Sequence, residues 1–285
     1  MRPTLIVGAG GQLGEAMTAQ LGDRRHVVAV TRSELDVTRA DAVRDLVARV
    51  APEVIINCSA YTNVDRSEQE PLEALQVNAM AVRALARAAD EQAAVLVHYS
   101  TDFVFDGKTD RPYTESDSVN PRGTYASSKL LGEWLAMETP RHYVLRVESL
   151  FGGAKAHSSV DKILANLRAG APVRAFVDRA VSPSFVDDVI LATSTLLDRA
   201  APFGLYHCVN SGWTNWAELS RHLAQLVGRP DAVIDEIRMA DAGLVANRPV
   251  FAALSNAKLV AAGVDMPTWQ EALGRYVKKT DQAKT

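Results

Sequence analysis

Five short, strongly apolar segments alternate with helical patterns through the first half of the chain, and this alternation limits the folds open to it. The apolar runs lie at 4–9, 26–31, 53–60, 94–100 and 142–150. Between them, apolar residues recur at helical spacing at 12–21, 39–50, 71–91 and 123–138. Strands that alternate with helices form a parallel sheet covered by helices. The sequence therefore predicts an α/β fold with a Rossmann-like doubly wound parallel sheet.

The second half of the chain is less regular. Residues 185–200 read as a strand end followed by a helix, and residues 215–228 read as a helix that Asn215 caps. The acids at 187 and 188 then fall in the first turn of a helix, where negative charge is favoured. Because the clean alternation stops, we expect a smaller C-terminal α/β lobe from about residue 151.

Composition and charge exclude several classes of function. The net charge of −3 and the pI near 6.1 give no electrostatic footprint for nucleic acid. No apolar run approaches the roughly 18 residues that a membrane span needs, and the first residues lack a signal-peptide pattern. The two cysteines, Cys58 and Cys208, have no metal-site or redox spacing, so we expect two reduced, buried thiols in a cytoplasmic protein.

A glycine loop follows the first predicted strand and opens a helix. Gly8, Gly11 and Gly14 stand at G-x-x-G-x-x-G spacing. Such glycines allow a tight turn, close approach of the backbone to a pyrophosphate and close packing of the helix on the strand. The position of the loop at the start of a strand–turn–helix pattern predicts dinucleotide binding.

The end of the second strand indicates which dinucleotide binds. An NAD site commonly carries an acidic residue there to accept from the ribose 2′-hydroxyl, whereas this chain has Thr31, Arg32 and Ser33. A guanidinium suits a 2′-phosphate because it can bind phosphate with two charge-assisted hydrogen bonds. NADP(H) is therefore predicted, and the neighbouring Glu34 leaves NADH open.

The fourth predicted strand and the helix after it carry residues suited to ketone chemistry. Thr101 lies at the carboxyl end of the strand, where open α/β sheets bind ligands. Tyr125 and Lys129 are four residues apart and so lie on one helix face. A tyrosine can protonate a ketone oxygen, and a nearby lysine can stabilise the phenolate. Glycine loop, hydroxyl and Tyr-x-x-x-Lys helix together predict a carbonyl reductase.

Six motifs, spread over nearly the whole length, make the chain resemble the extended short-chain dehydrogenases/reductases and, more closely, the dTDP-4-dehydrorhamnose reductase family. The motifs are GAGGQLG (8–14), LDVT (35–38), VIINCSAYTNVDRSEQEP (54–71), YSTDFVFDG (99–107), PRGTYASSKLLGE (121–133) and RPVFAALSNAKL (248–259). The resemblance implies a nucleotide-binding domain at 1–150, to which 186–210 returns. It leaves 151–285 mainly as a substrate-binding lobe, and it allows a homodimer.

The resemblance also assigns site residues. The catalytic set is Thr101, Tyr125 and Lys129. The residues implied for the cofactor are Gly8, Gly11, Gln12, Leu13, Arg32, Asp36, Val37, Ser59, Ala60, Tyr61, Tyr99, Tyr125 and Lys129. The residues implied for the sugar nucleotide are Thr101, Asp102, Ser149 and Arg248.

The chain departs from the family pattern at two positions. Ser149 stands where the family has a tryptophan that contacts the substrate, and Ala126 stands where a glycine follows the catalytic tyrosine. Some members hold magnesium through glutamates at a dimer interface, and Glu15 matches one of these. One matching acid is too few, so no metal is predicted.

The resemblance implies NADPH-dependent reduction of the C4 ketone of a nucleotide-activated 4-keto-6-deoxyhexose. The favoured substrate is dTDP-4-dehydro-L-rhamnose. Ser149 favours a second hypothesis, in which the protein reduces another nucleotide deoxysugar. A third hypothesis is a non-catalytic NADP(H)-binding subunit, like the regulatory subunit of methionine adenosyltransferase. A 4,6-dehydratase would need an acid pair directly after Thr101, but Asp102 is followed by Phe103.

The remaining candidate residues, histidines and tryptophans, are predicted to have structural roles. His98, His142 and His207 lie on or beside strands and show no ligand spacing. We expect three tryptophans to pack the smaller lobe, namely Trp213, Trp216 and Trp269.

Overall fold

The computed structural model describes residues 2–155 and 157–282. Its strands, numbered in chain order, are β1 (Thr4–Val7), β2 (Val27–Val30), β3 (Val54–Asn57), β4 (Val95–Thr101), β5 (His142–Val147), β6 (Leu150–Phe151), β7 (Val173–Phe176), β8 (Ala180–Val181), β9 (Ser184–Phe185), β10 (Gly204–His207), β11 (Thr214–Asn215) and β12 (Ile234–Ile237).

The helices follow the strands, and through the first half of the chain they alternate with them as the sequence predicts. They are α1 (Gln12–Gly22), α2 (Ala40–Val50), α3 (Val64–Ser67), α4 (Pro71–Leu75), α5 (Ala81–Glu91), α6 (Thr124–Ala136), α7 (Ser159–Ala169), α8 (Val186–Asp198), α9 (Trp216–Leu226), α10 (Ala257–Ala261) and α11 (Trp269–Gln282). Two short 3-10 helices lie at Asp102–Val104 and Met239–Asp241.

Six parallel strands form the main sheet, which confirms the Rossmann-like fold. Their spatial order is β2-β1-β3-β4-β5-β10. The chain moves from β1 to β2 on one side and then to β3 on the other side of β1. The crevice outside the carboxyl ends of β1 and β3 is thus the switch point where such sheets bind ligands.

Helices cover both faces of the sheet. On one face, α1 and α8 contribute Met17, Leu21, Val189 and Ile190 to a buried cluster, and on the other face α2 and α5 bury a second cluster. Leu259, Val264 and Met266, which lie in and after α10, also pack into the first cluster. None of the described helices combines the length and the apolar character that crossing a membrane requires.

The smaller lobe has its own core. Helices α7, α9 and α11 pack around the parallel pair of β7 and β12, with Trp216 and Trp269 buried among them. The expectation for Trp213 is wrong, because its side chain is 48% exposed and contacts the Phe251 ring at the surface. It follows Gly212, whose φ of 87° turns the chain there. The domain division itself stays a prediction.

Two helices can be compared in detail with the sequence predictions. The single helix expected at 71–91 is interrupted by a π-helical turn at Gln76–Met80. Asn215 caps α9 as predicted, since its side chain accepts from the backbone N–H of Glu218.

Both cysteines are unpaired, and Cys208 is buried, but Cys58 is partly exposed because it lies at the crevice.

Candidate active site

The glycine loop after β1 fits against the loop after β3. Gly8 has a φ of 80°, and a Cβ there would lie 2.6 Å from the backbone nitrogen of Ser59 and 2.8 Å from the carbonyl carbon of Cys58. A residue other than glycine would therefore push the two loops apart. The Gly11 N–H donates to the carbonyl of Gly8, and α1 begins at the next residue. The first N–H groups of α1 thus face the crevice at the positive end of the helix.

The crevice is a cleft of about 740 Å³, a volume that suits a dinucleotide portion. Eight of the predicted cofactor residues line it: Gly8, Gly11, Arg32, Asp36, Val37, Ser59, Ala60 and Tyr61. The glycine loop and the N-terminus of α1 fit the pyrophosphate of NADP(H). The exposed guanidinium of Arg32, at one end of the cleft, fits the 2′-phosphate on the ribose.

The residues that follow β2 are the ones predicted to discriminate between NADPH and NADH. The Glu34 carboxylate accepts from the backbone N–H and the hydroxyl of Thr31, both at 2.8 Å. The backbone hydrogen bond and then the hydroxyl lower the pKa of Glu34. Glu34 and Arg32 are both exposed, and Asp36, two residues after Glu34, lines the cleft.

Three predicted cofactor residues lie beside the cleft lining rather than in it. Gln12 donates from its side-chain amide to the carbonyl of Gly152 at 2.8 Å, which joins α1 to the smaller lobe. Leu13 is buried under the loop. The Tyr99 ring is buried, and its hydroxyl lies 2.7 Å from that of Thr193 on α8. These residues shape the cleft from behind.

Thr101 ends β4, and Tyr125 and Lys129 lie one turn apart on α6. The Thr101 side chain lies close enough to the Tyr125 hydroxyl to affect its pKa, and the Thr101 hydroxyl itself donates to Asp102 Oδ1 at 2.9 Å. Lys129 is buried and donates from Nζ to the carbonyl of Tyr99 at 2.6 Å. Burial lowers the pKa of Lys129 to about 8, against a smaller opposing effect of Glu133. Burial and then the Asp102 carboxylate raise the pKa of Tyr125, so its hydroxyl carries a proton at neutral pH.

Two buried contacts fix the position of α6. Glu133 accepts two hydrogen bonds from Arg146 on β5, at 2.8 and 2.7 Å, with both side chains almost fully buried. Asn78, in the π-helical turn, donates to the Ser128 hydroxyl and accepts from the backbone N–H of Tyr61. The same turn therefore contacts both α6 and one wall of the cleft, and π-helical turns often lie at functional sites.

The predicted substrate residues lie on the side of the smaller lobe. Asp102 follows Thr101 directly and is 2% exposed. Ser149 follows β5 with a φ of 46°, a left-handed conformation that is uncommon for serine. Arg248 forms a bidentate ion pair with Asp65, at 2.9 and 2.8 Å, so its guanidinium has a carboxylate partner already. Their roles toward a substrate stay predictions.

Sequence reasoning missed four residues around the site. Phe103 packs edge-on against the Tyr125 ring with centroids 5.4 Å apart. Lys155, from the smaller lobe, donates to the Gly10 carbonyl in the glycine loop and pairs with Glu15. Glu148 and Arg179 join Asp102 in a buried cluster. Of these four residues, only Glu148 has a sequence feature that could have indicated it, because it is an acid directly after an apolar strand.

The described residues offer no group of three or more histidine, cysteine or acidic side chains that could hold a metal ion. The histidines on or beside strands have protein partners. His98 lies 3.2 Å from the Asn57 amide, His142 lies 2.6 Å from the Thr139 carbonyl, and His207 lies 3.1 Å from the Tyr113 carbonyl. Burial and then Arg146 lower the pKa of His207 to about 3, which keeps it neutral.

A family model described as the RmlD substrate binding domain matches residues 1–282. The chain belongs to this family. Individual members agree along nearly the full length. A dTDP-4-dehydrorhamnose reductase of Streptomyces griseus is 34% identical over 278 residues, covering 94% of this chain and 91% of that protein. The spore coat polysaccharide biosynthesis protein SpsK of Bacillus subtilis (strain 168) is 30% identical over 284 residues, covering 99% of each chain.

A solved RmlD-family structure also resembles the chain. It is a dTDP-4-dehydrorhamnose reductase from Bacillus anthracis str. Ames in complex with NADP, with a TM-score of 0.92 and 28% sequence identity, covering 98% of this chain and 100% of that chain. The family membership agrees with the resemblance inferred from the six motifs.

Proposed function

We propose that the protein is an NADPH-dependent reductase of a nucleotide-activated 4-keto-6-deoxyhexose that converts dTDP-4-dehydro-L-rhamnose to dTDP-L-rhamnose. The observation that carries the proposal is the packing of α6, which carries Tyr125 and Lys129 one turn apart, against β4, which ends at Thr101. The dTDP-4-dehydrorhamnose reductases among the relatives support it, and the NADP complex from Bacillus anthracis supports the choice of cofactor.

In this proposal each catalytic side chain has one task. NADPH, when bound, supplies the hydride that adds to the ketone carbon. Tyr125 gives its proton to the ketone oxygen as negative charge develops there. Lys129 stabilises the resulting phenolate by its positive charge, and the Tyr99 carbonyl holds its ammonium group in place. Thr101 orients the ketone by hydrogen bonding, and Asp102 beside it contacts the sugar.

The rate should fall on the alkaline side as Lys129 loses its charge. Since burial lowers the pKa of Lys129 to about 8, we expect kcat to decline as the pH rises through about 8. The measurement is kcat against pH for the wild type and for Lys129→Arg. Arginine stays charged throughout this range, so the variant, although slower, should keep its rate to higher pH. An identical alkaline decline in both proteins would contradict this role.

Arg32 should decide the preference for NADPH. A charge-assisted hydrogen bond contributes about 1.5–3 kcal/mol, so Arg32→Ala should raise KM for NADPH at least about tenfold. KM for NADH should change little, because NADH has no 2′-phosphate. Steady-state kinetics with both cofactors measure this, with Arg39→Ala, an exposed arginine outside the cleft lining, as the control. Equal changes for NADPH and NADH would contradict the assignment.

The proposed reaction is tested by NADPH oxidation with dTDP-4-dehydro-6-deoxyhexose generated in situ, with and without a 3,5-epimerase. Turnover that depends on the epimerase supports the rhamnose substrate. Turnover without the epimerase supports a reductase of another nucleotide deoxysugar. This second candidate is favoured by Ser149 at the place of the family tryptophan, and one relative, SpsK, is named for spore coat polysaccharide biosynthesis.

NADPH binding without any NADPH oxidation in the presence of a ketosugar would instead support a non-catalytic subunit. The proposal places the reaction in the cytoplasm, in keeping with the unpaired Cys58 and Cys208. It leaves the homodimer as a prediction from the family resemblance.

A further inference from the structure

Tyr125 lies in a part of α6 that the buried anchors of the helix do not reach. It is the second residue of α6, which begins at Thr124. The two buried contacts that hold α6, at Ser128 and at Glu133, both lie later in the helix. Helix ends fray, and their first N–H groups have no carbonyl partner within the helix. The first turn of α6 therefore needs a partner of its own if Tyr125 is to stay in one place.

A carboxylate from a distant part of the chain binds this first turn. Glu68 Oε1 accepts from the backbone N–H of Thr124 at 2.8 Å, and Glu68 Oε2 accepts from the Thr124 hydroxyl at 3.2 Å. The residue at the N-cap position is Gly123, which has no side chain that could cap the helix. A negative charge at this end also complements the helix dipole. Glu68 thus caps α6 from outside the helix.

Gly123 gives the carboxylate room to approach. Its φ is 101°, and a Cβ there would lie 2.6 Å from Glu68 Oε1. Any other residue at this position would strain the backbone and push the carboxylate away. The glycine before α6 and the glutamate that caps α6 therefore form one arrangement, although they come from different parts of the chain.

The short helix that precedes Glu68 is itself held in place. The side chain of Asn63 caps α3. Asp65, in α3, accepts from the backbone N–H of Ala246 at 2.9 Å and from both terminal nitrogens of Arg248. Ala246 and Arg248 belong to the smaller lobe. The smaller lobe thus supports α3, and the residue after α3 supports the first turn of α6.

We infer that Glu68 is a positioning residue for the reduction, because it holds the first turn of α6 and so keeps the Tyr125 hydroxyl aligned with the ketone. The inference rests on the proposed function. Glu68 is not itself a catalytic residue, since its carboxylate binds Thr124 and does not line the cofactor cleft. Tyr125 follows Thr124 directly, so a shift of the backbone at Thr124 moves Tyr125 with it. A misplacement of this kind lowers the rate of the chemical step.

The kinetic test removes the Glu68 carboxylate. We expect Glu68→Ala to lower kcat about tenfold, because the proton donor loses its alignment with the ketone. KM for NADPH should stay unchanged, since the cleft lining does not include Glu68. Because Glu68 is exposed, the variant should keep its fold. Glu68→Gln keeps an oxygen for the Thr124 N–H and should recover most of the rate.

A double-mutant cycle with Tyr125→Phe separates positioning of Tyr125 from other effects. If Glu68 acts through Tyr125, adding Glu68→Ala to Tyr125→Phe should lower kcat no further. Independent effects would multiply, so a second fall of about tenfold in the double variant would overturn the inference. A Glu68→Ala protein with the wild-type kcat per folded molecule would also overturn it, since a role in stability alone gives that result.

The matched control is Asp117→Asn. Asp117 also accepts from the backbone N–H and the hydroxyl of one threonine, Thr114, at 2.7 and 2.9 Å, and it pairs with Arg111. Its carboxylate lies in a turn and not at the end of a helix that carries catalytic residues. Asp117→Asn should keep the wild-type kcat and KM. An equal fall in kcat for Asp117→Asn and Glu68→Ala would show a general effect of losing such a contact and would overturn the inference.

A second measurement needs no turnover. In fluorine nuclear magnetic resonance of protein labelled with fluorotyrosine, the Tyr125 signal is the one missing from Tyr125→Phe. We expect this signal to shift or broaden in Glu68→Ala and to keep its wild-type position in Asp117→Asn. An unchanged Tyr125 signal in Glu68→Ala would overturn the inference even if the protein is an active reductase. A changed signal in a protein that oxidises no NADPH would support the positioning of Tyr125 by Glu68 and count against the proposed function instead.

Discussion

Replacing Tyr125 by phenylalanine is expected to lower kcat for ketone reduction by roughly 10²–10⁴-fold, the usual contribution of a positioned general acid. Phenylalanine cannot give a proton to the ketone oxygen. It keeps the ring that packs edge-on against Phe103, so the fold and the cleft should persist. NADPH affinity should therefore change little. Steady-state kinetics and a fluorescence titration with NADPH measure the two effects.

Tyr206→Phe is the control for losing a tyrosine hydroxyl. The Tyr206 hydroxyl donates to the carbonyl of Pro202 at 2.6 Å, on the sheet edge away from the cleft. Its removal should lower stability slightly and leave kcat near the wild-type value. If Tyr125→Phe kept kcat within about threefold of the wild type, another group would have to supply the proton, and the proposed role of α6 would be wrong.

The second large effect should be on stability, at the ion pair that fixes α6 to β5. Arg146→Met should lower the free energy of unfolding by about 3–5 kcal/mol, because it leaves Glu133 buried and ionised without a partner. Urea denaturation followed by circular dichroism measures this loss. Activity per folded molecule should also fall, since α6 carries Tyr125 and Lys129.

A double variant separates the unpaired charge from the loss of packing. Arg146→Met combined with Glu133→Leu removes both charges and keeps similar volumes, so it should regain most of the lost stability. A single variant that unfolds within about 1 kcal/mol of the wild type would contradict the buried-pair interpretation. So would a double variant that is less stable than the single one.

Much of the fold could be predicted because it follows from local pattern. The alternation of apolar strands and amphipathic helices fixes a parallel sheet, and the glycine loop at Gly8 can lie only where two backbones meet closely. The spacing of Tyr125 and Lys129 places them on one face of α6 whatever the tertiary structure is. Thr101 ends β4, the strand against which α6 packs.

The rest of the site depends on contacts between distant segments. Arg179 reaches Asp102 from the smaller lobe, and Arg248 pairs with Asp65 across more than half of the chain. No periodicity relates such residues, because their approach is set by the packing of the smaller lobe on the sheet. The π-helical turn at Gln76–Met80 is similarly a response to packing against α6, where Asn78 must reach Ser128.

Glu148 shows where sequence reading could have gone further. An acid between Val147 and Ser149, at the end of a buried strand, conflicts with the local apolar pattern. The prediction for this segment rested on the neighbouring Ser149, where the family tryptophan is missing. Departures from local pattern of this kind are expected at functional sites, and here the departure lies against Asp102.

The most direct test of the central claim is to follow the transferred hydrogen. NADPH carrying deuterium at the transferable position of its dihydronicotinamide should be incubated with the protein, the dTDP-4-dehydro-6-deoxysugar and the 3,5-epimerase, and the product examined by nuclear magnetic resonance. We expect deuterium on C4 of the deoxysugar in the wild type, and formation of the same product at least about a hundredfold more slowly with Tyr125→Phe. Deuterium at another carbon, or a product without deuterium, would contradict the account.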